Sequence, residues 1–73
     1  MSANADAAID LPRYELFDLA NLRREYRKAL GYLDRIQRRD PSIHPSKRHA
    51  LRREWTGRRD AVAAELAARN DRI

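Results

Sequence analysis

Cysteine is absent from the chain, which excludes a disulfide staple and any thiolate metal site. Histidine occurs twice. His44 and His49 stand five apart across an expected helix start, so they share no face and make no zinc site without carboxylates. Glycine also occurs only twice, and no Gly-rich phosphate loop can be built from it. No Ser/His/Asp or Cys/His set is present, so catalysis finds no support. The expectations are no enzyme activity, no cofactor, no metal and no small-molecule substrate. No apolar run approaches the roughly 18 residues of a membrane span, so no transmembrane segment is expected, and no membrane is expected as a partner. The first ten residues are acidic and small, without the basic and apolar regions of a signal peptide. The protein is therefore expected in the cytoplasm.

Lysine is scarce as well: 14 of the 16 basic residues are Arg. An Arg preference over Lys also follows from a GC-rich genome, so the placement of the arginines carries more than their number. The net charge is +5 and 37% of residues are charged. That balance favours nucleic acid, acidic proteins or anionic lipid as partners. Several cations stand four apart: Arg23 and Arg27, Arg24 and Lys28, Arg35 and Arg39, Arg48 and Arg52. On a helix such pairs face each other and cost roughly 0.2–0.5 kcal/mol each.

What is present reads as helix. Residues 1–10 form an arm, and 11–73 form one helical domain. Asp10 followed by Leu11-Pro12 reads as a capped helix start, and Asp40-Pro41 as its stop. Between them Leu19, Leu22, Tyr26, Ala29, Leu33 and Ile36 recur in steps of three and four. Leu16 and Leu30 widen that stripe on one flank. The connector D-P-S-I-H-P leads into a second helix with Pro45 in its first turn. Its stripe is Leu51, Trp55, Val62 and Leu66, with Gly57 and Arg58 interrupting it. The expectation is an all-α antiparallel hairpin with helices at about 11–39 and 45–69. Folding about residue 42 sets Leu33 against Leu51, Ala29 against Trp55 and Leu22 against Val62. The smallest seam residue meets the largest, which supports this register. Arg58 then falls near Tyr26 and Glu25.

The run L-A-N-L-R-R-E-Y, Leu19 to Tyr26, resembles the first-helix start of the helical chorismate mutases. The resemblance implies a carboxylate contact for Arg23. It covers eight residues of a pattern common in amphipathic helices, and the chain is short of a third helix. It carries no family assignment.

A chain of 73 residues buries a small fraction of its surface and is marginal alone. Helix 1 carries more large apolar side chains than helix 2 can cover. Tyr14, Leu16, Phe17, Leu30 and Tyr32 are therefore expected at a partner interface. Phe17 points away from the main seam in a continuous helix. A second hairpin, giving a homodimeric four-helix bundle, is the favoured partner there.

Basic residues gather at the loop end of the hairpin: Arg35, Arg38, Arg39, Lys47, Arg48, Arg52 and Arg53, against Asp40 alone. Asp34–Arg38, Glu54–Arg58 and Glu65–Arg69 are favourable i,i+4 pairs. Arg forks match phosphate oxygens, and each neutralised phosphate releases counterions. The expected function is a non-enzymatic binding module that contacts nucleic-acid backbone through this cluster. The alternative is an adaptor or inhibitor, of the phage, toxin–antitoxin or regulatory type. It would bind an acidic protein through the helix 1 face. The helices are too long, and the connector too unlike a short Gly-containing turn, for a helix-turn-helix. Base-specific reading is unsupported, and contact with DNA or RNA backbone is the limit of the expectation.

Overall fold

The computed structural model describes residues 11–69. The expected arm, residues 1–10, and the tail, 70–73, lie outside the described residues. The chain is all-helical there, with no strand among the described residues. A 3-10 turn at Tyr14–Leu16 precedes α1, Leu19–Gln37. A second 3-10 turn, Pro45–Lys47, runs directly into α2, Arg48–Ala68. The two helices pack antiparallel. No helix among the described residues is long and apolar enough to cross a membrane.

The first helix starts later than expected. Asp18, not Asp10, is its cap: Oδ1 accepts the Asn21 backbone N–H at 2.8 Å. Phe17 is extended, at φ −80° and ψ 145°, and separates the 3-10 turn from the helix. Length explains the break. α1 and α2 have 19 and 21 residues, about 28 and 31 Å at the standard rise. A helix running unbroken from 11 to 39 would overshoot its partner by about two turns. Breaking at Phe17 lets the leading segment fold back over the end of α2. Tyr14 then enters the core with Leu22, Val62 and Leu66. Arg69, just past α2, fastens the fold-back. Its Nη2 donates to the carbonyls of Tyr14 and Glu15, at 3.4 and 3.1 Å, while its Nε pairs with Glu65 at 2.9 Å.

The end of α1 is a Schellman turn. Asp40 N–H donates to Arg35 C=O, and Arg39 N–H to Ile36 C=O, both at 3.1 Å. Arg39 supplies the left-handed residue, at φ 57°, where glycine is the usual occupant. His44 caps the next turn: its Nδ1 accepts the Ser46 backbone N–H at 3.1 Å. Pro45 follows at the first position, where a missing N–H costs nothing.

The core has two parts. Near the open end lie Tyr14, Leu22, Val62 and Leu66. Near the loop lie Ala29, Ile36, Ile43 and Trp55, with Leu33 and Leu51 packed against them. The expected facing sets, Leu22 with Val62, Ala29 with Trp55 and Leu33 with Leu51, fall in the same clusters. Ile43 of the connector joins this core, which the helical periodicity does not foretell. Tyr26 packs on the open-end cluster.

Candidate nucleic-acid interface

The seven loop-end cations separate into two groups. Arg35 and Arg38 have acidic partners. Arg35 Nε donates to Asp40 Oδ2 at 2.8 Å and its Nη2 to Ser42 Oγ at 3.0 Å. This ion pair joins the two residues where a Schellman turn commonly places an apolar contact. Asp40 also accepts the Ser42 backbone N–H and hydroxyl, at 2.9 and 2.7 Å. The Ser42 N–H, then Arg35, then the Ser42 hydroxyl hold the Asp40 carboxyl down at about 2, from an ordinary 3.8. Arg35 therefore clamps the connector. Arg38 pairs with Asp34 one helical turn back, at 3.0 Å, the i,i+4 pair expected from the spacing. Both side chains are exposed, and such a pair contributes at most about 1 kcal/mol.

The second group is uncompensated. Among the described residues, no acidic side chain or hydrogen-bond partner holds the side chains of Arg39, Lys47, Arg52 or Arg53, all exposed. Arg48 is half-buried and its Nε is shielded with no partner. The end of α1 and the first two turns of α2 bring these five cations to one end of the hairpin. Arg48 and Arg52, four apart, share a face of α2. Arg53 lies on another, so the cations wrap this end of the molecule.

The expected partner-interface residues are divided by the fold-back. Tyr14 is 5% exposed and belongs to the chain's own core. Burial pushes its phenol up from 10, an effect that Arg58 opposes and Glu25 reinforces. Phe17 is half-buried and meets Tyr14 edge-on, with centroids 5.3 Å apart. Neither waits for a partner, because the break before α1 turns both inward. Leu16 and Leu30 remain exposed, at 73% and 41%.

Tyr32 does something the spacing does not announce. It stacks on Trp55 with centroids 4.3 Å apart and planes 8° from parallel. Arg35 lies over the Tyr32 ring at 5.3 Å. Arg58 lies over Trp55 at 4.7 Å and pairs with Glu54 at 3.0 Å. The aromatic partner of Arg58 is therefore Trp55 and not Tyr26. Lys28 stands 5.9 Å from the Trp55 ring. The pair was hidden because Tyr32 lies outside the apolar stripe of α1, on its flank, where side-chain length decides contact.

No group of three or more metal-ligating side chains is gathered among the described residues. No protein-family model matches the chain, and no curated protein or solved structure is significantly similar to it. The eight-residue likeness around Arg23 thus remains a feature of about two helix turns, and the functional reading rests on geometry and charge.

Proposed function

We propose that the protein is a non-enzymatic binding module that contacts nucleic-acid backbone through Arg39, Lys47, Arg48, Arg52 and Arg53. Arg39 carries the reading. It holds a left-handed backbone position where glycine is the lower-energy occupant, and its guanidinium has no partner among the described residues. A residue that strains the backbone while leaving its charge free fits an external anion better than it fits the fold. Arg35 and Arg38 take part less, because the connector and Asp34 already engage them.

The adaptor reading keeps some support from Leu16 and Leu30. It loses Tyr14 and Phe17, which the chain covers itself. A homodimer is part of the proposal: Leu11, Leu16 and Leu30 are large apolar side chains left exposed, and a second hairpin making a four-helix bundle would cover them.

The test is affinity for duplex DNA as a function of salt. Replacing Arg39, Arg48 and Arg52 with Gln should weaken binding and flatten the salt dependence. The fold should hold or gain slightly, since repulsion at Arg48–Arg52, one turn apart in α2, is relieved. Arg69, at the far end, is unsuitable as the control because it fastens the N-terminal turn. Arg13→Gln serves instead: it removes an exposed charge at the open end, whose ion-pair partner among the described residues, Glu15, is also exposed. Equal loss per charge in both variants contradicts a loop-end site. Pull-down with and without nuclease separates this reading from the adaptor.

A further inference from the structure

The loop end of the hairpin has two broad faces and carries uncompensated cations on both. Trp55, Val62 and Leu66 mark the buried side of α2, the side turned to α1. At about 100° per residue, Arg52 stands about 60° to one side of Trp55 and Lys47 about 80° to the other. Arg53 stands about 160° away, on the outer edge. Burial agrees with this phase: Lys47, Arg52 and Arg53 are exposed. Arg48, about 20° from Trp55 by the same count, is half-buried. Between its broad faces a hairpin is one helix thick, about 10–12 Å with side chains. The loop end is thus a blade with Lys47 on one face and Arg52 on the other. Its tip presents no free carboxylate. Asp40, the one acid between Asp34 and Glu54, is engaged by Arg35 and Ser42. The Ser46 hydroxyl is likewise engaged, with His44 Nδ1 at 2.8 Å.

We infer that this blade enters the major groove of B-form DNA, with one phosphate backbone along each broad face. The inference rests on the backbone-binding proposal and names its ligand. The major groove is about 12 Å wide and admits an element one helix thick. Both of its rims are phosphate, so Lys47 meets one strand and Arg52 the other. Cations built to follow a single strand would share one face, and these two stand about 140° apart around α2. Entry brings no base reading, because the hydroxyls at the tip are spent on bonds within the connector. The thickness also selects between duplexes. A-form RNA has a deep, narrow major groove that side chains cannot enter, so it offers the blade one backbone at a time. The ligand is therefore duplex DNA rather than duplex RNA.

The experiment measures the affinity of the full chain for a DNA duplex and an RNA duplex of matched sequence. Each is about two helical turns long, roughly 20 base pairs, and binding is followed by fluorescence anisotropy across a salt series. DNA should bind more tightly. Each phosphate contact that RNA leaves unmade costs about fivefold at 0.15 M salt, the value a slope of 0.9 per contact gives. Lys47→Gln and Arg52→Gln, both at exposed positions, should each lower the DNA slope by about 0.9, and the double substitution by about 1.8. The comparison of duplexes uses the wild-type chain, so it stands however a variant folds. RNA bound as tightly as DNA, or more tightly, overturns the groove fit and leaves backbone binding standing. A slope that moves for only one of the two substitutions does the same, because the cations then meet a single strand. A slope lowered equally by Arg13→Gln, or no binding to either duplex, overturns the groove fit together with the loop-end reading.

Discussion

Arg39 and Asp40 sit side by side at the end of α1 and do opposite work. Asp40 is satisfied by three hydrogen bonds from Arg35 and Ser42. Its carboxyl is held near 2 against an ordinary 3.8. A depressed carboxyl stabilises the fold at pH values above 3.8, and that contribution disappears as pH falls toward 2. Thermal melts across this interval should therefore show a steeper loss for the wild type than for Asp40→Asn. Parallel curves would mean that the clamp adds nothing. Arg39 strains the chain instead. Arg39→Gly should raise stability by about 1 kcal/mol, since a left-handed residue with a Cβ costs about that much, and should lower nucleic-acid affinity. Chemical denaturation and a binding titration on the same preparation check both halves. These roles were only partly legible in the sequence. The i,i+4 pair Asp34–Arg38 follows from helix spacing. The Arg35–Asp40 bridge does not, because a separation of five becomes close only after the chain reverses through a left-handed residue.

At the scale of elements, complementary size sets the hairpin register. Ala29 is fully buried opposite Trp55. Ala29→Leu should overpack this seam and cost about 1–3 kcal/mol, read by urea denaturation. Red-shifted Trp55 emission in the folded wild-type protein would contradict the register itself. This pairing was readable because the apolar stripes have a fixed period and only one alignment places the smallest residue against the largest. The start of α1 was not. Asp10 and Asp18 both carry the side chain a cap requires, and local chemistry does not choose between them. The choice is made by α2, whose length leaves nothing for residues 11–18 to pack on unless they fold back. Tyr14 and Phe17 accordingly move from an expected external interface into the chain's own cover. Arg69 holds that cover through two backbone carbonyls, contacts fixed by tertiary approach across more than fifty residues.

For the whole molecule, the question is what its unspent surface meets. Among the described residues the large exposed apolar side chains are few, Leu11, Leu16 and Leu30 with the flank of Tyr32, and the fold-back has reduced the area that a second copy must cover. The proposed homodimer should still report twice the chain mass in sedimentation at micromolar concentration. A monomer that melts cooperatively would show that two small core clusters suffice. The unspent charge is larger and more concentrated, at the loop end. The salt dependence of duplex binding tests that charge most directly. Each phosphate contact contributes about 0.9 to the slope of log affinity against log salt. Replacing Arg39, Arg48 and Arg52 together with Gln should reduce the slope by about 2.7, while Arg13→Gln leaves it nearly unchanged. A slope that falls equally per charge in both variants, or no binding at physiological salt, would contradict the account.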